Sequence, residues 1–138
     1  MTAEEILYNH KLKNTTCRKQ VVEELLEKKS ALSENEIKSA FEGPFDRVTF
    51  YRTLKTLEQK EVIHRIALND GTIKYALNGH HHENEHIHAH FHCEKCDEVF
   101  CLEEEQTYFH VDLPDKFVKN DVFVVVEGVC AECVVDVS

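Results

Sequence analysis

Asp46-Arg47-Val48-Thr49-Phe50-Tyr51-Arg52-Thr53-Leu54-Lys55-Thr56-Leu57 begins with a carboxylate suited to capping a helix. Phe50, Leu54 and Leu57 then recur on one stripe, which predicts an amphipathic helix from Asp46 to about Lys60. Downstream, Val62 to Leu68 and Thr72 to Leu77 are rich in β-formers and flank Asn69-Asp70-Gly71, a strong hairpin signal. Upstream, three more helices are predicted. One runs over Ala3 to His10. A second is capped by Thr15 or Thr16, with Val21, Val22, Leu25 and Leu26 at helical spacing through Lys29. A third starts at Ser33, whose partner Glu36 completes a capping-box pattern, and Gly43-Pro44 ends it. Helices leading into a hairpin are the order of a winged helix-turn-helix, with the helix after Asp46 in the recognition position. Its outward residues Thr49, Tyr51, Arg52, Lys55 and Thr56 suit base edges and phosphates. An ordinary solvated helix face has the same polarity.

The remainder of the chain has a different chemistry. The 138 residues carry 16 Lys+Arg and 26 Asp+Glu, a formal net charge of −10. Residues 1–78 hold 13 of the bases and 12 of the acids, so the excess of acid lies in residues 79–138. Eight of the ten His and five of the six Cys also follow Leu77. This asymmetry predicts two modules, 1–78 and 86–138, joined by a His-rich linker at 79–85. Strands are expected over His86 to Cys93, Glu98 to Leu102 and Gln106 to Leu113, with a buried strand over Val122 to Val129. The longest purely apolar run, Val122 to Val126, is far short of the roughly 20 residues a membrane helix needs. With no signal-peptide pattern at Met1, a cytoplasmic protein without a membrane partner is expected. Disulfides are rare in that compartment, so many Cys and His in so short a chain point to metal.

Cys93-Glu94-Lys95-Cys96 and Cys130-Ala131-Glu132-Cys133 are two C-x-x-C knuckles. Two residues between thiolates let both turn toward one ion, and two knuckles complete a tetrahedral four-sulfur zinc site. Closed coordination of this kind is structural rather than catalytic. No H-E-x-x-H and no H-x-E with P-C-x-x-C is present. An enzyme acting on a small-molecule substrate is therefore not expected. A zinc-stabilised interaction module without sensing is an alternative from a different class.

His88-Ala89-His90-Phe91-His92-Cys93-Glu94-Lys95-Cys96 resembles the signature of the ferric uptake regulator family of metal-dependent repressors. Leu12-Lys13-Asn14-Thr15-Thr16-Cys17-Arg18 is similar to that family's entry into its second helix, with Cys17 where Pro is more usual. Asp46 to Leu54, with its T-x-Y-R core, is similar to the family's recognition helix, and Gly128 to Cys133 to its second knuckle. The resemblance implies an α+β chain: a winged helix-turn-helix followed by a small α/β dimerisation domain with a four-cysteine zinc site. It also implies a regulatory metal and a homodimer that binds double-stranded operator DNA as a repressor when that site is filled. Carried over by position, Tyr51 and Arg52 contact bases and phosphates, Lys13 the minor groove or backbone, and Arg18 the backbone.

The regulatory ligands depart from the pattern. Ala31 and Ala76 stand where iron-responsive members carry a His and an acid, and Cys101 stands where they carry another acid. His88 and His90 are retained. A thiolate in place of a carboxylate favours zinc over iron(II). The expected set is His88, His90, Cys101 and His64, with His86, His92, His110 or a Glu as substitutes for His64. An iron(II) site rebuilt on Glu83, Glu85 or Glu103–Glu105 is the alternative. The acidity of the chain predicts weak non-specific DNA binding that falls steeply with salt.

Overall fold

The computed structural model describes residues 1–41, 46–78, 87–102, 110–120 and 122–134, the side chains of Ile87 and His88 excepted. The chain divides into two compact units, Met1–Asn78 and Gly79–Ser138.

In the first unit α1 (Ala3–Asn9) and α2 (Thr16–Lys28) are capped by the side chains of Thr2 and Thr15. α2 ends on Lys29 in the left-handed conformation, φ 56°. α3 (Glu34–Ser39) starts with a complete capping box: Glu36 N–H donates to Ser33 Oγ at 3.2 Å, and Ser33 N–H to Glu36 Oε1 at 3.0 Å. The helix closes on Ala40; Gly43-Pro44 lies outside the described residues. α4 (Arg47–Gln59) is capped by Asp46 and buries Phe50, Thr53, Leu54 and Leu57, an i, i+3, i+4, i+7 stripe.

β2 (Ile63–Ala67) and β3 (Ile73–Leu77) form the expected hairpin. Gly71, at φ 88°, donates its N–H to Leu68 O, and Leu68 N–H donates to Thr72 O. This positive φ is one that a Gly adopts without strain. β1 (Leu32–Ser33), absent from the sequence reading, pairs antiparallel with β3, so the wing is a three-stranded sheet of order β1-β3-β2. Leu7, Val21, Val22, Ile37, Phe50, Leu57, Val62 and Ile63 are at most 1% exposed at the centre of one core, with Leu25, Leu32, Leu54 and Tyr75 around them. Buried Lys74 of β3 ties the wing to α3 through Glu36 Oε1 at 3.4 Å.

The second unit is built on β4 (Ile87–Cys93), β5 (Val99–Cys101) and β6 (Val122–Gly128), in the order β5-β4-β6. β5 runs antiparallel to β4 and β6 runs parallel to it. A short helix, α5 (Ala131–Val134), follows. Two expectations need correction. The strand over Val122 to Val129 is not buried in the single chain: it pairs on one side only among the described residues, and Phe123 is 63% exposed. Of the strand expected over Gln106 to Leu113, residues 110–113 are irregular, because Asp112 and Leu113 are exposed and no face is buried; 106–109 lie outside the described residues. No helix among the described residues is long and apolar enough to cross a membrane. The linker expected at 79–85 also lies outside them.

Candidate metal centre and nucleic-acid interface

β4 delivers Cys93, and the turn after it reverses the chain so that Cys96 returns toward Cys93. Asp97 makes the reversal in the left-handed region, φ 66°, with its N–H on Cys93 O. β6 runs parallel to β4 with Gly128 opposite Cys93, which brings the second knuckle alongside the first. Glu94 N–H donates to Gly128 O at 2.7 Å and holds the two together. The Sγ atoms of Cys93, Cys96, Cys130 and Cys133 all lie within 4.8 Å of one another, and Cys96 Sγ is 3.8 Å from Cys130 Sγ. A zinc tetrahedron with bonds of about 2.3 Å has edges of about 3.8 Å, so the four sulfurs fit that ion.

The electrostatics agree. The N–H groups of Cys96 and Cys130 each donate to Cys93 Sγ at 3.4 Å and bring its thiol down to about 6. Cys133 is pushed up to about 12 by its bond to Cys130 and by burial. The Glu98 amide pulls Cys96 down, but burial and the sulfurs of Cys93 and Cys130 outweigh it and leave its thiol raised. Four crowded thiols resist full ionisation, and a divalent cation removes that resistance. This cluster fits a structural zinc.

Of the residues expected at a regulatory site, His90 is buried on β4 and lies directly opposite Cys101 of β5 in the antiparallel register. Opposed residues on such a pair share a face. His88 is two residues earlier on the same strand, opposite Phe123 of β6 in backbone register. In the first unit, buried His64 is directly opposite Ala76. Its Nδ1 bonds to Asn78 Oδ1, and Asn78 Nδ2 donates to Glu61 O. The amide's orientation makes Oδ1 the acceptor, so Nδ1 carries the proton and Nε2 is the imidazole's acceptor nitrogen. That tautomer suits a metal ligand. Ala31 and Ala76 are buried.

His92 faces a carboxylate at each ring nitrogen. Its Nε2 is 2.6 Å from Asp97 Oδ1 and its Nδ1 is 2.7 Å from Glu127 Oε2. The Asp97 bond raises its pKa above the ordinary histidine value, burial opposes this, and Glu127 adds to the rise. A carboxylate on each nitrogen favours the protonated imidazole. Nothing in the sequence links His92 to Glu127, 35 positions away. His110 is exposed and bonds to Asp112 at 2.7 Å. His86, Glu83, Glu85 and Glu103–Glu105 lie outside the described residues.

The α4 residues Thr49, Tyr51, Arg52 and Lys55 are all exposed, as is Lys13. Arg18 Nη1 donates to Lys13 O at 3.1 Å and braces the segment entering α2. Thr49 Oγ1 donates to Asp46 Oδ2 at 2.8 Å, and this bond, with the Val48 amide, holds the Asp46 carboxyl below its ordinary value. An open groove of about 510 Å³ lies between α4 and the start of α2, with Arg18, Arg52, Thr15, Thr16, Thr49 and Thr56 on its walls. Two guanidiniums, the hydroxyls of Thr15, Thr16 and Thr56 and helix N-terminal amides are donors matched to phosphate oxygens, with the Asp46 carboxylate, held by Thr49, also on the wall.

Residues 9–110 match the model of the ferric uptake regulator family. No curated protein matches the chain in sequence. Among solved structures, a zinc uptake regulator complexed with zinc and DNA is similar at a TM-score of 0.68 and 21% identity, over 97% of this chain and 91% of that one. The holo protein XcZur is similar at 0.68 and 18%, over 96% and 94%. The Helicobacter pylori ferric uptake regulator, described as having three functional metal-binding sites, is similar at 0.60 and 21%, over 96% and 94%. The family match covers most of the chain, and the fold and four-cysteine cluster accord with it: the chain belongs to the ferric uptake regulator family, whose members are metal-responsive transcription regulators.

Proposed function

We propose that this chain is a zinc-responsive repressor that binds operator DNA as a homodimer when its regulatory site is filled. The observation that carries the choice of zinc is the register of the second unit, in which buried His90 lies directly across from Cys101. An imidazole beside a thiol is a donor set softer than the carboxylates that suit harder ions. His88, His90 and Cys101 are the ligands from residues 86–138, and His64 is the ligand from residues 1–78. His64 takes the place across the wing from Ala76, where an acidic ligand is missing. Cys93, Cys96, Cys130 and Cys133 hold the structural zinc. Zinc switches the protein to the extent that it binds the DNA-competent form better than the other.

Residues 1–78 carry the DNA-binding surface: Lys13 on the minor groove or backbone, Arg18 on the backbone, and Thr49, Tyr51, Arg52 and Lys55 on α4. Residues 86–138 carry dimerisation, supported by the exposed Phe123 and Val126 on a strand that is an edge among the described residues. An edge strand with large apolar groups is a ready surface for another chain.

The test is DNA binding at buffered free zinc, with metal analysis alongside. One zinc surviving a mild chelator and a second regained reversibly are expected. Cys101→Ser combined with His90→Ala abolishes the zinc dependence and leaves the fold. With cobalt(II), the regulatory site adds sulfur-to-metal absorption that Cys101→Ser removes. One zinc and no more, or unchanged zinc dependence in the double variant, refutes the assignment; iron(II) under anaerobic conditions is then the ion to titrate.

A further inference from the structure

Lys38 of α3 reaches across to Tyr51 of α4. Its Nζ donates to Tyr51 Oη at 3.1 Å and lies 4.9 Å from the centre of the Tyr51 ring and 5.4 Å from that of Phe50. Phe50 is fully buried, and the Tyr51 ring meets it edge-on at 5.8 Å. The exposed phenol therefore packs on a fixed ring, and the ammonium sits within reach of both rings and of the phenol oxygen.

One consequence follows from the donor inventory. An ammonium can only donate, so the oxygen of Tyr51 is the acceptor in this pair and its own O–H is turned outward as a donor. Among the described residues Lys38 pairs with no carboxylate. Lys19, Lys28, Arg65 and Lys74 of the same unit all pair with carboxylates, at distances from 2.9 to 4.0 Å. Lys38 pairs with a neutral phenol and two aromatic faces. One ammonium and one directed O–H, side by side on the helix pair, match the non-bridging oxygens of a backbone phosphate.

We propose that Lys38 and Tyr51 form one clamp on a DNA phosphate, with Lys38 both contacting the backbone and setting the Tyr51 ring. The proposal rests on the DNA-binding reading above. It narrows Tyr51 from base and phosphate contact to the backbone and makes Lys38 its positioning residue.

The test uses the zinc-loaded full chain and two probes: a short random-sequence duplex at low salt, and a duplex selected by the protein from a random pool. Lys38→Ala is expected to weaken binding about tenfold on both duplexes. It also lowers the magnitude of the log-affinity against log-salt slope by about 0.9, the value for one phosphate. Tyr51→Phe weakens both duplexes alike and leaves the slope unchanged. The double variant is little worse than Lys38→Ala, because the two act as a unit. Lys38→Arg restores the slope. Unchanged thermal unfolding keeps the comparison to the interface. A wild-type slope in Lys38→Ala, additive losses, or a Tyr51→Phe loss confined to the selected duplex overturns the clamp. In each of those cases Arg52→Ala still weakens binding and the DNA-binding reading stands. Failure of the wild-type protein to bind either duplex overturns both.

Discussion

Removing the metal from the four-cysteine cluster should unfold the second unit and leave the first intact. The magnitudes follow from the two cores. In the second unit the fully buried apolar residues among those described are Ala89, Cys93 and Val99, and Cys93 belongs to the cluster itself. Burial of Ala89 and Val99 contributes on the order of 2–4 kcal/mol. Ordering each residue of the backbone costs about 1–2 kcal/mol, so this core cannot hold three strands alone. A structural zinc supplies about 10–16 kcal/mol. The first unit has its own core, running from Ala3 to Tyr75 without a residue of the second. The assay is hydrogen exchange read by mass spectrometry, on protein kept reduced, before and after a strong chelator. Amides of β4, β5 and β6 are expected to lose their protection, and those of α2 and α4 to keep theirs. Cys96→Ser should reproduce the chelator's effect. Full protection of the three strands in metal-free, reduced protein would refute the reasoning, as would loss of α2 and α4 along with them.

Three further outcomes are expected. His92→Gln breaks the charge pairs to Asp97 and Glu127, which brace the first knuckle and β6. Zinc loss to a chromogenic chelator should therefore be faster at least severalfold, with α2 and α4 unchanged in hydrogen exchange. A Cβ at Gly128 would come within 3.1 Å of the Phe91 ring, so Gly128→Ala should destabilise the second unit by about 1–3 kcal/mol, read by thermal unfolding of the zinc form. Burial pushes the Glu36 carboxyl up, but the Ser33 amide and Lys74 outweigh it and its pKa lies below the ordinary value. Its contribution to stability is thus complete above its unfolded pKa and is lost as pH falls through the lower folded one. Glu36→Gln should be less stable than wild type near neutral pH, with the gap closing in acid; a gap that widens in acid would show the sign to be wrong.

Local features were legible in the amino-acid order because neighbours a few residues apart decide them. The caps Thr15, Ser33 and Asp46, the α4 stripe, the Asn69-Asp70-Gly71 turn and the two C-x-x-C spacings all depend on contacts within a turn or two of chain. They sufficed for the α+β class, the wing and the four sulfurs. Tertiary structure alone decided the rest. The pairing of β1 with the wing joins residues some forty positions apart. The placing of Cys101 across from His90, and of His64 across from Ala76, is a matter of register. A slip of one residue would have turned each to the opposite face, and no local propensity forbids it. His92 alternates with His88 and His90, and the sequence leaves it as one substitute for His64. Its contact with Glu127 comes from the tertiary structure, because the parallel pairing of β4 with β6 brings Glu127 beside it. Spacing told which cysteines could share an ion; the parallel pairing of β4 with β6 brings the two knuckles together.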